Sequence, residues 1–232
     1  MSDLGSTFKI SHDNGVTFSE LYKSPVTSPH GPCELDNGEV LWVGTVYGDK
    51  DGVDADIQAW LINTENGEMT KVGIIPRVKY PGSAFPCEPH AICLGNGRML
   101  CHIRVCGAGI DGSNVFTTYQ SESEDYGRTW TEPRMLLETE GGAPAHIMAH
   151  SSGVLVSVYG YRLAPFGIKA MFSHDEGKTW DTGHDIYVNG VNLDLGYPSS
   201  VELSDGSILT VFYAHEKSGE PATIMQQRWS FS

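Results

Sequence analysis

Ser173-His174-Asp175-Glu176-Gly177-Lys178-Thr179-Trp180 is the stretch whose reading decides the fold. It recurs as Ser123-Glu124-Asp125-Tyr126-Gly127-Arg128-Thr129-Trp130, and with Phe for Trp as Ser11-His12-Asp13-Asn14-Gly15-Val16-Thr17-Phe18. Three copies of S-x-D-x-G-x-T-[W/F] in 232 residues mark an array of like units. Asp and Ser oxygens can accept bonds from backbone N–H groups a few residues ahead, and Gly takes a positive φ without a steric cost. The aromatic that follows can pack beneath the turn. Apolar or β-branched residues flank each copy, so each reads as the loop of a β-hairpin. Asp13, Asp125 and Asp175 are therefore turn residues and not catalytic candidates.

A second repeat interleaves with the first. Leu35-Asp36-Asn37-Gly38-Glu39-Val40-Leu41-Trp42 is an apolar run, an Asn-Gly turn and another run; Leu94 to Leu100, His150 to Val156 and Leu203 to Leu209 follow the same plan. Asn-Gly or Asp-Gly between apolar runs is a strong hairpin signal. The turn glycines Gly38, Gly97, Gly153 and Gly206 lie 59, 56 and 53 residues apart. After Gly38 the longer motif is degraded to Asn63-Thr64-Glu65-Asn66-Gly67-Glu68-Met69-Thr70. Two hairpins per 50–60 residues make a four-stranded antiparallel propeller blade. The expected fold is all-β, a single β-propeller domain over residues 1–232. Its parts are half a blade (6–23), three full blades (about 28–75, 84–138 and 143–190) and a three-stranded blade (195–232).

Composition bounds the partners. A net charge of −14 argues against nucleic acid and anionic membrane surfaces, and no stretch is apolar enough to span a bilayer. An anionic small substrate would need a local basic pocket drawn from seven arginines. The start, Met1 to Gly5, does not read as a signal peptide, which leaves the compartment undetermined. Five cysteines without CxxC spacing predict reduced thiols rather than a disulfide framework or zinc site, with Cys93 and Cys101 as the one conceivable pair. Neither a cofactor nor a metal is expected.

The first strand of a blade lies nearest the propeller axis. The lead-in segments to these strands all contain proline: Ser28-Pro29-His30-Gly31-Pro32, Cys87-Glu88-Pro89-His90, Gly142-Ala143-Pro144-Ala145-His146 and Gly196-Tyr197-Pro198-Ser199. Equivalent positions ring the channel, so His30, Glu88, His90, His146 and Tyr197 should converge. The second strands return to that face with Tyr47, Arg104, Tyr159, Tyr161-Arg162 and Tyr213. Arg104 follows an apolar run and needs a partner or a ligand, for which Glu88 is the candidate. The acidic loop Asp49 to Asp56 reads first as solvated, and it also has the oxygen-rich character of a calcium loop.

The repeated S-x-D-x-G-x-T-W resembles the Asp-box, or BNR repeat, of bacterial sialidases and their relatives, mostly six-bladed propellers. The resemblance covers essentially the whole chain, and includes Pro29-His30-Gly31-Pro32, Glu88-Pro89-His90, Tyr159-Gly160-Tyr161-Arg162 and Asp194 to Ser200. It implies an exo-sialidase-type glycoside hydrolase acting on terminal acidic sugars. In that scheme arginines clamp the carboxylate, a Tyr deprotonated by a Glu attacks the anomeric carbon, and an Asp is the acid. Glu88 and Arg104 match the family's Glu and second arginine. The Arg-Ile-Pro segment that carries the family's first arginine has no counterpart here. Tyr197 is the candidate nucleophile and Asp54 the candidate acid. Arg162, Arg228, His30, His90, His146 and Tyr213 are candidate substrate-binding residues. About four to four and a half blades are present, so N-terminal truncation or a non-standard closure is expected, and exposed edges favour a homo-oligomer. The alternatives are a propeller that binds a glycan without hydrolysing it, and a hydrolase or lyase for another acidic sugar.

Overall fold

The computed structural model describes residues 6–47, 55–137 and 141–231. All regular structure is β. The hairpin β1 (Ser6–Phe8) and β2 (Tyr22–Ser24) forms a two-stranded sheet. The first full blade is β3 (Cys33–Glu34), β4 (Val40–Val46), β5 (Asp56–Ile62) and β6 (Met69–Ile74). The second is β7 (Phe85–Gly95), β8 (Arg98–Ala108), β9 (Asn114–Ser123) and β10 (Arg134–Met135). The third is β11 (Gly142–Ala149), β12 (Leu155–Tyr161), β13 (Gly167–Ser173) and β14 (Asp181–Tyr187). A three-stranded sheet closes the order with β15 (Gly196–Glu202), β16 (Ile208–His215) and β17 (Ala222–Trp229). Strands pair antiparallel with their sequence neighbours, so each blade is a meander, as the two interleaved hairpins predict.

Blades stack face to face through alternate residues of each strand. Along β8, Met99, Cys101, Ile103 and Val105 pack with Leu41, Val43, Ile57 and Ala59 of the first full blade. The intervening Leu100 meets Ile147 and Leu155 of the third blade instead. A further core joins Val156, Val158, Ile168 and Ala170 to Leu195, Ile208 and Phe212 of the last sheet. Each Val, Leu, Ile, Met or Phe among them contributes about 1.5–3 kcal/mol on burial.

The longer motif has the internal bonding its composition dictates. In the copy at Ser173, the Gly177 N–H donates to Ser173 Oγ at 2.8 Å, and Asp175 accepts from the Thr179 N–H and hydroxyl at 2.8 and 2.6 Å. The copies at Ser123 and Ser11 repeat this pattern. The glycine also has a role outside its own loop. A Cβ on Gly177 would stand 2.5 Å from Leu100 Cδ1, and one on Gly127 2.7 Å from Leu41 Cδ2. The motifs at Ser123 and Ser173 therefore seat on the preceding blade, whereas Gly15 in the copy at Ser11 meets only Phe18 of its own loop, at 3.9 Å. Trp180 extends this seat, donating from Nε1 to Gln120 Oε1 of the second blade at 2.8 Å.

All five cysteines are free thiols, so Cys93 and Cys101 do not pair. Cys93 lies opposite Met99, while Cys101 points into the fully buried interblade core.

Candidate functional site

The site is built where first strands begin and second strands end. Proline sets its local geometry. Pro lacks the N–H a ladder requires, so within a sheet it sits at a bulge or an edge. Pro89, Pro144 and Pro198 coincide with register shifts between Cys87 and His90, Gly142 and Ala145, and Gly196 and Ser199. The residues just before Pro89 and Pro198 are Glu88 and Tyr197, each with φ of +47°. Side chains other than Gly hold such a backbone at a cost of order 1–3 kcal/mol, and sites of this kind cluster where function requires them. The Glu88 N–H is tied to Thr45 Oγ1 of the first full blade at 3.0 Å.

Glu88 and Tyr197, 109 residues apart, meet across the channel: the Tyr197 hydroxyl donates to Glu88 Oε1 at 2.5 Å. Arg104 Nη1 donates to Glu88 Oε2 at 2.5 Å and to Tyr197 Oη at 3.3 Å. The Arg104 and Glu88 side chains are only 11% and 22% exposed, which makes this a desolvated charge pair and not a surface one. Burial raises the Tyr197 phenol well above its ordinary value; the hydrogen bond to Glu88 and the carboxylate's charge add to this, against Arg104 and Arg162. The phenol is thus protonated at rest, with a carboxylate already placed to take its proton.

A second cation lies alongside. The Arg162 guanidinium carbon is 5.9 Å from the Tyr197 ring centroid and 5.7 Å from that of Phe116; Arg104 is 6.0 Å from Phe116. Phe116 on β9 thus supports both arginines, and the sequence reading did not single it out. Its place, third in the strand after the Gly109–Ser113 turn, gave no distinguishing signal. Buried Nε atoms of Arg104 and Arg162 have no hydrogen-bond partner. Tyr213 stacks obliquely on Tyr197 at 6.0 Å and donates to Asp194 Oδ1 at 2.8 Å, while His215 Nε2 lies 2.8 Å from Asp194 Oδ2. These bonds from His215 and Tyr213 hold the Asp194 carboxyl below its usual range. Asp194 was quoted only as part of a longer motif; it anchors the ring that flanks Tyr197.

His30, His90 and His146 also come together, from three successive blades, with ring centroids 4.6–5.1 Å apart. The Ile147 N–H donates to His90 Nδ1 at 3.0 Å, which puts the His90 proton on Nε2. Among the described residues no group of three His, Cys, Asp or Glu has the arrangement that would hold a metal ion. Arg228 does not join the site. It lies opposite Leu209, pairs with Asp205, and bonds Ser207 Oγ at 2.8 Å beside the β15–β16 turn. That is the far end of the blade from Gly196 and Tyr213. Asp54 lies outside the described residues.

The sequence profile described as BNR repeat-like domain matches residues 2–211. The chain belongs to that family. No curated protein matches it. Among solved structures, the BNR repeat-like chain is similar to a protein of unknown function from Dyadobacter fermentans, with a TM-score of 0.83 at 20% identity. That match covers 99% of this chain and 65% of the other. It is also similar to the NanB sialidase of Streptococcus pneumoniae, at TM-score 0.67 and 11% identity, over 97% of this chain and 35% of that one. For the GH93 α-L-arabinofuranosidase of Fusarium graminearum, complexed with arabinobiose, the values are 0.65 and 13%, over 97% and 72%. These TM-scores establish a common fold, the sialidase-like β-propeller. The BNR repeat-like chain spans about two thirds of the Dyadobacter protein and about a third of the NanB chain.

Proposed function

We propose that this BNR repeat-like protein carries the catalytic centre of a glycoside hydrolase for a terminal acidic sugar, with Tyr197 as nucleophile. The observation that supports this reading is the chain of short bonds from Tyr197 Oη to Glu88 and from Glu88 to Arg104. Tyr197 attacks the anomeric carbon as its proton passes to Glu88 Oε1; the glycosidic C–O bond breaks, the aglycone oxygen leaves with a proton taken from water, and a second water then cleaves the glycosyl–Tyr197 bond. Arg104, within 3.3 Å of the phenolic oxygen, stabilises the charge that develops there. A neutral phenol suits an anionic sugar, because a carboxylate nucleophile would be repelled by the sugar's own carboxylate, and Tyr-based sialidases are an exception to the two-carboxylate scheme. Arg162 is the cation we assign to that carboxylate, since a guanidinium matches a planar anion with two parallel donors. The neighbours' sugars include arabinobiose as well as the substrates of sialidases, so the sugar itself is the variable to test.

Fluorogenic α-sialosides, uronides and α-L-arabinofuranosides should be offered side by side to the 232-residue chain. The expected result is release from an acidic glycoside, reduced roughly 10²-fold or more in Tyr197→Phe and in Glu88→Gln. Preference for the neutral arabinoside would refute the assignment of Arg162. No release from any of the three would reject the hydrolase, and binding on a glycan array would then support a lectin-like propeller.

A further inference from the structure

We propose that Cys87 and Cys106 form a thiol modification site beside the Glu88–Arg104–Tyr197 centre, oxidised to a disulfide by small disulfides such as oxidised glutathione. The two sulfurs lie 3.5 Å apart. They are diagonal neighbours across the β7–β8 ladder, where Cys87 faces Arg104 and Phe85 faces Cys106. Both therefore project from one face of the blade, as does Arg104 between them. Cys106 is partly exposed and Cys87 is buried, so an external reagent reaches Cys106 first.

The surroundings set the same order. Either thiol can donate in the Cys87–Cys106 hydrogen bond; with Cys87 as donor, that bond and the positive charge of Arg104 and Arg162 bring the Cys106 thiol below its ordinary value, against the effects of burial and Glu88. The thiolate is the reactive form of cysteine. Elsewhere burial dominates and a neighbouring thiol adds to it: burial, with Cys93 nearby, pushes Cys33 up to about 12, and burial, with Cys33 nearby, pushes Cys101 well above its ordinary value. The reaction then has two steps. The Cys106 thiolate attacks one sulfur of the small disulfide, forms a mixed disulfide and expels one small thiolate. The Cys87 sulfur, losing its proton to solvent, attacks Cys106 and expels the second small thiol. Two protein thiols are oxidised and one small disulfide is reduced to two thiols.

The modification reaches the centre through the backbone. Closing the pair to the ~2.05 Å of a disulfide draws the sulfurs roughly 1.5 Å together. Cys87 is bonded directly to Glu88 and sits in the irregular part of β7, between Cys87 and His90, where the ladder already shifts. Such a movement is larger than the tolerance of Glu88's two 2.5 Å hydrogen bonds.

The test treats the full chain with oxidised glutathione and maps thiols by peptide mass spectrometry. The expected product joins Cys87 to Cys106, leaves Cys33, Cys93 and Cys101 free, and reverts with dithiothreitol. Cys106→Ser and, as a second variant, Cys87→Ala should form no internal cross-link, and Cys87→Ala should stop at the mixed disulfide on Cys106. Cys106 unmodified, or labelled no faster than Cys33 and Cys93, would overturn the proposal. The effect on turnover rests on the hydrolase reading: at least a tenfold loss reversed by dithiothreitol is expected. A mapped cross-link with unchanged turnover would reject the coupling to Glu88, while thiol mapping stands even if no substrate is found.

Discussion

At the scale of single residues, the centre depends on a charge pair with little water around it. Removing one member of such a pair leaves the other buried and uncompensated, which costs about 3–5 kcal/mol, whereas replacing both by apolar groups of similar size is often neutral. Glu88→Leu should therefore lower stability by roughly 2–3 kcal/mol, somewhat below that range because Glu88 retains 22% exposure. The double variant Glu88→Leu/Arg104→Met should recover most of the loss in urea unfolding. Equal destabilisation by the single and double variants would show that the loss does not come from leaving the Arg104 charge unpaired. The pairing of Glu88 with Arg104 was legible because their positions bracket one hairpin, a short-range relation. Tyr197 was legible as a channel residue through the X-Pro lead-in it shares with Glu88. Phe116 was not, because nothing in a strand's sequence says which of its alternate residues two arginines will lean on. Arg228 is set apart for a related reason: it lies on the last blade's third strand, but antiparallel register puts it against Leu209, at the end of the blade away from Tyr213.

At the scale of the element, the repeated S-x-D-x-G-x-T-W loop has two separable requirements, backbone conformation and space. Gly177 has φ of +89° and no room for a methyl group beside Leu100. Gly153, in a tight turn, has φ of +87° with nothing within 4 Å. Gly153→Ala should cost only the left-handed backbone penalty, about 1–2 kcal/mol. Gly177→Ala adds displacement of the neighbouring blade and should cost roughly 1–3 kcal/mol more. Denaturant midpoints of the two variants compare these directly; equal losses would mean that the loop does not seat on the preceding blade. The turn chemistry was readable from the sequence, since Ser, Asp, Gly and Thr act within eight residues. The seating was not, because it depends on what the previous blade presents far earlier in the chain, 77 residues for Leu100 and Gly177 and 86 for Leu41 and Gly127.

At the scale of the whole molecule, the blades converge on an axis, and that convergence brings three imidazoles together, His90 buried and His30 and His146 partly exposed. Burial and the neighbouring His146 bring His30 down to about 3; burial brings His146 down to about 4; burial, His146, His30 and His102 push His90 well below its usual value. The proline-containing lead-in segments foretold that these three residues would converge; that their rings would pack against one another, 4.6–5.1 Å apart, was not legible there. The consequence is a definite dependence of stability on pH. An unfolded chain binds protons at these histidines below about pH 6.5, while the folded chain refuses them until the pH falls to the depressed values. Between those limits the unfolded state holds more protons, so stability decreases as pH falls, and above about 6.5 these groups contribute no slope. Lowering the pH from 6.5 to 5 should remove ~1.5 kcal/mol per histidine, of order 3 kcal/mol for His30 and His146 together. The double variant His30→Gln/His146→Gln should flatten urea-derived stability over that interval by about this amount and leave the values above pH 7 on a parallel, pH-independent line. An unchanged slope in the double variant would mean that these rings gain protons in the folded state through water in the channel, and that the axis of the propeller is wetter than its packing implies.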